Sequence, residues 1–425
     1  MRHLPARLDI LIACVLIVGA MLIRSLHFVP SLNFSTDQAV FSTRALEIWR
    51  NREITFAGPT ASFNYHGRYL IQSAAIYYAT LLFLLPAGFD PIGASVLFML
   101  LAAMMCWPLY FGMKQLTNRR AAVVMTALYA FLPIFVNFTR FLFNPNYQLA
   151  LLPLLVYCWA KFWTTKSEKW LLVSGVVGGF LLLFHYQLVI LLVGLSVAVV
   201  WPKNWRRFGI WVAGLVIGFS PMVLFELRSG FYMTNTIWLF LTHFSEMTAK
   251  SSASGEGGEF PMHYILSVVF SLLILFIYAA VKRFPAIFGW RQVSAFAGIL
   301  FVGSLSLYLQ KPTHAFGMPA GWSYEEEQKV HQIIVDQKID NFAVVNTLYE
   351  TTASVQYFLL KRDYSVGWTS DYSHNHYLFV IAPKNHTEFA QDSAYELNTF
   401  VPAKVVQSWQ LTETRELYLL ERTTK

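Results

Sequence analysis

An acidic residue lies just after the first apolar segment of the chain. Asp37 is followed at rough helical spacing by the apolar residues Ala39, Val40, Leu46 and Trp49, which predicts a short helix on a membrane surface. A carboxylate held there has the chemistry of a general base toward a hydroxyl group. Asp also favours the N-cap position of a helix. The sequence therefore leaves two interpretations of Asp37 open, a catalytic base and a helix cap, and the two do not exclude each other.

Eight further polar residues lie where apolar segments begin, end or are interrupted. They are His66, Arg68, Arg140, Asn144, His185, Gln187, Glu226 and Arg228. Ionisable groups at membrane depth are costly, so they tend to be paired or functional. Structural explanations also exist: arginines reach lipid phosphates, Asn144 opens a helix beside Pro145, and His185 bonds at an interface. Glu226 and Arg228 could pair with each other. Their shared position on one predicted face of the membrane favours a common site.

The composition is that of a membrane protein. Of 425 residues, 56% are hydrophobic and 13% are charged, whereas soluble domains carry about 25% charged residues. Several apolar runs reach the ~20 residues that cross a bilayer. The net charge of +8 comes mostly from Lys and Arg in short loops between these runs, where such residues report membrane topology and not nucleic-acid binding. All three cysteines lie in apolar runs, so no structural disulfide or Cys-based zinc site is expected.

The apolar run at 70–86 decides the predicted topology. The runs lie near 9–29, 70–86, 92–113, 121–138, 147–163, 169–185, 187–201, 208–226, 262–281 and 292–309. Four loops between the later runs each carry three positive charges. With the basic N-terminus inside, these loops are all cytoplasmic only if 70–86 does not cross, which the positive-inside rule favours. The sequence therefore predicts about nine transmembrane helices, a cytoplasmic N-terminus, an outer C-terminus and a re-entrant or surface helix at 70–86.

The chain is predicted to divide at about residue 310 into a membrane domain and a soluble tail. Residues 1–310 carry the apolar runs, with outer loops at 30–91 and 227–261. In residues 311–425, alternating helix and strand patterns predict a small extracytoplasmic α/β domain. Its predicted helices are 324–338 and 352–361, and its predicted strands are 342–348, 377–382, 405–411 and 417–421. The predicted fold class is a polytopic α-helical membrane protein with outer juxtamembrane helices and a small C-terminal α/β domain.

These motifs resemble those of the C-type glycosyltransferase superfamily, most closely its bacterial branch related to protein mannosyltransferases and the lipid A aminoarabinose transferase. The matching stretches are Thr36-Asp37-Gln38-Ala39, Tyr65-His66-Gly67-Arg68-Tyr69-Leu70, Arg140 with Asn144-Pro145-Asn146, His185-Tyr186-Gln187 and Glu226-Leu227-Arg228. Two positions depart from the family pattern. Gln38 replaces the usual second acidic residue, and two prolines are absent after His66. The resemblance leaves a divalent metal open, since oligosaccharyltransferase relatives use one and mannosyltransferase relatives do not need one. The few clustered carboxylates here disfavour a metal site, and no other cofactor is expected.

The resemblance implies an inverting sugar transfer at the outer face of the cytoplasmic membrane. The donor is a polyprenyl-phosphate-linked sugar that arrives from among the membrane lipids, and the acceptor is a lipid, a glycan or a protein. Asp37 is the general base. Arg68, Arg140 and Arg228 meet the charge that develops on the leaving phosphate, and His185 is a further donor. The remaining candidates contact the donor phosphate or sugar, and no nucleic acid takes part.

Three other functions explain part of the pattern. The main alternative is a transporter or flippase of sugars or lipid-linked sugars, which predicts inverted repeats and helices broken at mid-membrane; the sequence shows neither. An O-antigen-type polymerase or ligase would carry its large outer loop in the later half of the chain. A structural membrane subunit whose tail binds a partner would tolerate replacement of Asp37.

Overall fold

The computed structural model describes residues 6–423 with the exception of several internal segments. The segments left out are 66, 201–203, 244–264, 285–288, 320, 348–351, 365–371, 387 and 390–394. The chain forms two compact units. The helical unit comprises residues 1–26, 53–83 and 94–309, and the C-terminal unit comprises residues 27–52, 84–93 and 310–425. The stretch that carries Asp37 thus belongs to the same unit as the tail.

Helices make up most of the first 310 residues. In chain order they are α1 (Ala6–Ser25), α2 (Thr36–Asn51), α3 (Ala75–Leu84), α4 (Pro91–Met104), α5 (Cys106–Leu116), α6 (Arg119–Phe131), α7 (Pro133–Asn137), α8 (Asn144–Thr165), α9 (Glu168–Leu182), α10 (Val189–Val200), α11 (Trp205–Gly218), α12 (Ser220–Arg228), α13 (Tyr232–Thr242), α14 (Leu266–Arg283) and α15 (Trp290–Tyr308). An antiparallel hairpin of β1 (Ala57–Tyr65) and β2 (Arg68–Ser73) lies between α2 and α3.

The start of the run 70–86 is a strand, which corrects the prediction of a helix over its whole length. Its first residues belong to β2 and pair with β1, and Gly67 at the turn has a φ of +78°, a conformation that glycine adopts freely. Only α3 is helical here. Its ten residues span about 15 Å, half of the ~30 Å hydrocarbon core. The helix is therefore short for a span, as expected of a re-entrant or surface helix.

Three described helical stretches are long and apolar enough to cross a membrane. They are Arg7–Ser25 in α1, Pro91–Leu116 formed by α4 and α5, and α14. A fourth candidate is the pair α11 and α12, which is bent by 69° where Pro221 lies in the first turn of the second helix. This bend interrupts the apolar run 208–226, in which the sequence pattern showed no break. The remaining helical runs are shorter or less apolar, and the count of nine spans stays a prediction.

Glycines let α9 and α11 pack backbone to backbone. A Cβ added at Gly179 would lie 2.2 Å from the Leu215 carbonyl oxygen, and one at Gly218 would lie 2.1 Å from the Val176 carbonyl oxygen. No side chain fits into either gap, so these small residues set the distance between the two helices. The contact fixes the end of α9, from which the segment 185–187 emerges.

A four-stranded sheet with the order β3-β4-β6-β5 forms the core of the C-terminal unit. Its elements are α16 (Tyr324–Gln337), β3 (Phe342–Asn346), α17 (Ala353–Lys361), β4 (Tyr377–Pro383), α18 (Tyr395–Phe400), β5 (Ala403–Gln410) and β6 (Arg415–Arg422). β3 pairs with β4 in parallel, and the other two pairs are antiparallel. Phe379 and Leu419 pack with Val330 in one apolar cluster, and Val380 and Leu420 pack in another. Because neighbouring strand residues point to opposite faces, both faces of the sheet are covered.

The predicted helices and strands of the tail are confirmed to within two residues among the parts that the structure describes. Ser323 starts α16 in a capping box with Glu326, which is the S-x-x-E pattern that signals a helix start. The short helix α18 was not predicted, since its six residues are too few to show a helical period.

Candidate functional site

Asp37 lies in the first turn of α2, one residue after its start. The N-cap residue is Ser35, so the interpretation of Asp37 as the N-cap is wrong. The side chain of Asp37 is exposed, and its charge is favourable there because the helix dipole is positive at this end. Gln38 is buried, and its Oε1 accepts a hydrogen bond from Ser35 Oγ at 2.8 Å. The residue that replaces the family's second acid therefore has a structural role.

The C-terminal unit holds α2 at both ends. Before the helix, the Phe34 ring packs edge-on against Tyr357 with 5.4 Å between ring centroids. Asn33 Nδ2 donates to the Phe316 carbonyl oxygen at 2.8 Å. At the far end, Arg50 donates to the carbonyl oxygens at the end of α17 at 2.9 and 3.1 Å. The position of Asp37 within this unit is therefore set by residues of the tail, a connection that no local sequence pattern indicates.

In the helical unit, the β1–β2 hairpin is the element around which the other candidate segments gather. Asn144 Nδ2 donates to Gln72 Oε1 at 2.8 Å. The Tyr186 hydroxyl donates to the Ile71 carbonyl oxygen at 2.6 Å. The backbone N–H of Tyr69 donates to the Tyr232 hydroxyl at 3.2 Å. The three segments that contain residues 144, 186 and 232 thus meet on one strand, β2, although they are far apart in the sequence.

Arg68 and Arg228 lie at opposite ends of this hairpin. The guanidinium carbon of Arg68, at the turn, is 5.9 Å from the Tyr232 ring centroid, and that of Arg228 is 5.4 Å from the Phe56 ring centroid. Phe56 precedes β1 and accepts a backbone hydrogen bond from Ala74, so it marks the open end of the hairpin. Both arginines are exposed. Five residues of strand separate the two ends, roughly 17 Å, and Arg228 lies at the end where Asn144 bonds Gln72.

Glu226 caps the following helix, α13. Its Oε1 accepts from the Met233 backbone N–H at 2.8 Å. Its Oε2 accepts from the backbone N–H and the hydroxyl of Thr234 at 2.8 and 2.6 Å. These backbone N–H groups have no partner within the first turn of a helix, and the carboxylate also interacts favourably with the helix dipole. The acceptor atoms of Glu226 are thus engaged by α13 itself.

The segment His185–Leu188 is held by a buried amide network. His185 Nδ1 accepts from the Gln187 backbone N–H at 3.3 Å. Gln187 Nε2 donates to Gln148 Oε1 at 3.0 Å and to Ser267 Oγ at 3.3 Å. Gln148 Nε2 donates in turn to the carbonyl oxygens of Leu181 and His185. Gln187 Oε1 is buried and accepts no hydrogen bond from the described residues. Sequence reasoning missed Gln148, although a polar amide side chain inside the apolar run 147–163 could have indicated it.

Arg140 is enclosed by protein, with 3% of its surface exposed. It donates to the Leu26 carbonyl oxygen at 2.6 Å, and its guanidinium carbon lies 5.4 Å from the Tyr308 ring centroid. Burial lowers the pKa of Arg140 to about 10, so the group stays positively charged at neutral pH. The structure thus keeps Arg140 charged and buried, in contrast to the exposed Arg68 and Arg228.

Arg24, which sequence reasoning missed, anchors the loop that carries Arg140. It is fully buried and donates to Thr139 Oγ1 at 2.9 Å and to the carbonyl oxygens of Tyr129 and Ala130 at 3.0 and 2.7 Å. The Tyr129 carbonyl would normally accept from residue 133, which is Pro133 and has no N–H. Arg24 therefore supplies the donor that the proline removes. The signal was a single arginine inside the apolar run 9–29.

His66 lies outside the described residues, so its predicted role stays a prediction. The structure gathers Arg68, Asn144, Gln187 and Arg228 in the helical unit, directly or through partners on the hairpin and the amide network. Asp37 belongs to the C-terminal unit. Among the described residues, no group of three or more His, Cys, Asp or Glu side chains has the arrangement of a metal site.

Comparison with known proteins supports the resemblance stated from the motifs. Residues 72–225 match the family model of dolichyl-phosphate-mannose-protein mannosyltransferases. The fold matches that of ArnT from Cupriavidus metallidurans in the apo state, with a TM-score of 0.59 and 11% identity over 96% of this chain and 97% of that chain. The oligosaccharyltransferase of Archaeoglobus fulgidus in complex with Zn and sulfate gives a TM-score of 0.43 and 10% identity over 87% of this chain and 67% of that chain. No curated protein sequence matches the chain.

The predicted resemblance to the C-type glycosyltransferases is confirmed by the family match and the ArnT fold. The matched range begins in β2 and ends in α12. It therefore includes Gln72, Asn144 and the segment 185–187, which contact each other through the hairpin and the amide network, and also Arg140, which is held separately by Leu26 and Tyr308.

Proposed function

We propose that the chain is a membrane glycosyltransferase that moves a sugar from a polyprenyl-phosphate carrier to an acceptor on the outer face of the cytoplasmic membrane. The observation that carries the proposal is the match of residues 72–225 to a mannosyltransferase family. The ArnT fold over nearly the whole chain is consistent with it. The acceptor is a lipid, a glycan or a protein, and the sugar is a hexose or a pentose.

The proposed reaction is a single inverting displacement. An acceptor hydroxyl attacks the anomeric carbon, the bond from that carbon to the phosphate oxygen breaks, and the carrier leaves as a polyprenyl phosphate. Asp37 takes the proton of the acceptor hydroxyl, a contribution of typically 10²–10⁴-fold in rate. The leaving phosphate gains negative charge, which fixed cations stabilise in a site from which water is excluded.

Among the candidate cations, Arg228 is the one best suited to contact the phosphate. It is exposed, so a ligand can reach it, and it lies at the end of the hairpin where Asn144 bonds Gln72. Arg68 lies at the other end of the hairpin, beside Tyr232. Arg140 is buried among backbone and ring atoms, which favours a role in supporting the loop before α8. His185 and Gln187 lie on the adjacent segment and are proposed to contact the sugar or phosphate.

The domain organisation and orientation belong to the same proposal. Residues 1–310 form the membrane domain with a cytoplasmic N-terminus, and residues 311–425 form the extracytoplasmic domain. The contacts of α2 with α17 and of the preceding Asn33 with Phe316 support a role of the tail in holding Asp37. A cysteine introduced in the tail and probed in intact cells with a membrane-impermeant maleimide tests the orientation, and labelling only after cell lysis would contradict it.

The test of the function is a transfer assay with purified protein. Radiolabelled polyprenyl-phosphate sugars are incubated with a native membrane and glycan extract, and wild type is compared with Asp37→Asn and Glu47→Gln. Glu47 is a matched control because it is a second carboxylate of α2, paired with Arg44 at 3.0 Å. We expect Asp37→Asn to lose at least about 10²-fold of the transfer rate and Glu47→Gln to keep it.

Two results would contradict these assignments. Transfer by a folded Asp37→Asn protein at the wild-type rate would remove the general-base role of Asp37. Failure of the folded wild-type protein to transfer from every donor would overturn the glycosyltransferase function. Flux of lipid-linked sugars in liposomes would then test the transporter.

A further inference from the structure

An apolar groove of about 420 Å³ lies in the helical unit between α8, α10 and α14. Its lining includes Leu152, Trp159, Leu191, Gly194, Leu275 and Tyr278. This volume falls in the range of ligand pockets in proteins, roughly 300–1,000 Å³. The groove does not contain the candidate residues described above, and its rim carries apolar side chains that are more than half exposed, such as Ile190 and Leu272.

Two lysines are held by aromatic residues at one end of the groove. Lys166 Nζ lies 4.1 Å from the ring centroid of Trp163, and Lys282 Nζ lies 4.5 Å from that of Tyr278. Trp163 and Tyr278 both line the groove. The two lysines are exposed, and a ring face attracts an ammonium group at this distance. The groove therefore combines an apolar channel with two lysines whose ammonium groups lie over rings that line it.

Lys282 is far from the segment that contains Gln187. Ser267, which bonds Gln187, lies near the start of α14, whereas Lys282 lies fifteen residues further along the same helix. At 1.5 Å per residue this is about 22 Å. Lys282 thus cannot serve a phosphate bound beside Gln187. Lys166 directly follows α8 and Lys282 lies in the last turn of α14. The positive-inside rule assigns these helix ends to the cytoplasmic side, where anionic lipids attract basic residues.

We propose that this groove binds one anionic phospholipid, with an acyl chain in the channel and the headgroup phosphate between Lys166 and Lys282. The chemistry of both parts of the ligand matches the site. The channel offers apolar contact to a flexible chain, and the two ammonium groups offer charge-assisted hydrogen bonds to phosphate oxygens. The site is separate from the proposed transfer reaction and does not depend on it.

The glycine Gly194 gives a sharp test of the channel. A Cβ added at Gly194 meets no atom within 4 Å, so Gly194→Leu fills the groove without a clash with the backbone. Gly209 is the matched control, because it is also a helical glycine whose added Cβ meets no atom within 4 Å, and it does not line the groove. The pair separates occupation of the groove from the general effect of replacing a glycine in a helix.

The experiment measures retained lipid by native mass spectrometry of the delipidated full chain. Phosphatidylglycerol and phosphatidylcholine with the same acyl chains are titrated in parallel. We expect wild type and Gly209→Leu to hold one phosphatidylglycerol at least about tenfold more tightly than phosphatidylcholine. Gly194→Leu should weaken both lipids, and Lys166→Gln combined with Lys282→Gln should reduce phosphatidylglycerol to the level of phosphatidylcholine.

Three results would overturn the proposal. Equal retention of the two lipids by wild type would show that the bound lipid is ordinary annular lipid without headgroup selectivity. Retention by Gly194→Leu equal to that of Gly209→Leu would place the lipid elsewhere. Displacement of phosphatidylglycerol by a lower concentration of polyprenyl phosphate would assign the groove to the isoprenoid chain instead.

Discussion

Glu327 is a buried carboxyl group in the C-terminal unit whose protonation should control stability. Its oxygens accept from Trp322 Nε1 at 2.6 Å and from Ser354 Oγ at 2.5 Å. Burial raises the pKa of Glu327 from 4.5 to about 7, although the two hydrogen bonds lower it. Since the folded pKa is the higher one, the stability contributed by the protonated group is fully present below pH 4.5 and is lost as the pH rises through 7. At about 1.4 kcal/mol per unit, the loss amounts to about 3 kcal/mol.

His331, one turn further along α16, should have the opposite effect. Burial lowers the pKa of His331 from 6.5 to about 4. The neutral group therefore contributes stability that is present above pH 6.5 and is lost as the pH falls through 4. Between pH 4.5 and 6.5 the two slopes are equal and opposite. We expect the stability of the wild-type C-terminal unit to be nearly independent of pH in this window.

Single substitutions should reveal each slope. Glu327→Gln replaces the titrating carboxyl group by a neutral amide that keeps an acceptor oxygen. Only the effect of His331 then remains, so the stability of the C-terminal unit should fall by about 3 kcal/mol from pH 6.5 to 4.5. His331→Gln should show the reverse, a similar fall as the pH rises from 4.5 to 6.5. The measurement is hydrogen–deuterium exchange of the α16 amides in the full chain, corrected for intrinsic exchange rates. A Glu327→Gln profile as flat as that of wild type would refute the reasoning.

Three further predictions concern the helical unit. Arg228→Gln should lower kcat/KM for the donor about 10- to 100-fold, as expected for the loss of one charge-assisted hydrogen bond. Arg68→Gln should lower it less than about threefold. Steady-state transfer rates that rank the two variants in the reverse order would contradict the assignment. Glu226→Gln should destabilise α13 by about 1 kcal/mol, seen as roughly fivefold faster amide exchange at its start, and unchanged exchange would exclude the cap. Gly179→Leu should prevent folding, because its Cβ would meet the Leu215 carbonyl oxygen, and a normal thermal transition would disprove that contact.

Hydrophobic periodicity predicted a helix or strand correctly where a single period, helical or alternating, extended over the whole element. The tail helix α16 and the strands β4 and β6 lie where the helical period and the strand alternation indicated. The prediction was wrong at 70–73, because a short apolar run fits a strand or a helix equally well. These residues form a strand because they pair with β1, which precedes them in the sequence. β1 itself was not predicted, since it carries Gly58 and Pro59, which are poor strand formers.

The candidate site was predicted as a set of residue types but not as a set of contacts. The sequence singled out Glu226, and the structure shows that its carboxylate caps α13. It did not single out Arg24, one of whose acceptors is the Tyr129 carbonyl oxygen, over a hundred residues away and free because Pro133 has no N–H. Contacts of that kind depend on tertiary packing, and no local pattern contains them.

The placement of Asp37 gives the tail a part in the proposed chemistry. The sequence assigned Asp37 to an outer loop of the membrane domain, whereas its helix α2 lies in a compact unit with residues 310–425. Phe34 precedes the helix and packs against Tyr357, a kind of contact worth about 0.5–1.5 kcal/mol, and Arg50 closes the helix against the end of α17. A general base must be held within hydrogen-bond reach of the proton it accepts. Since the groups that hold α2 belong to the tail, the position of the proposed base depends on the folding of the tail.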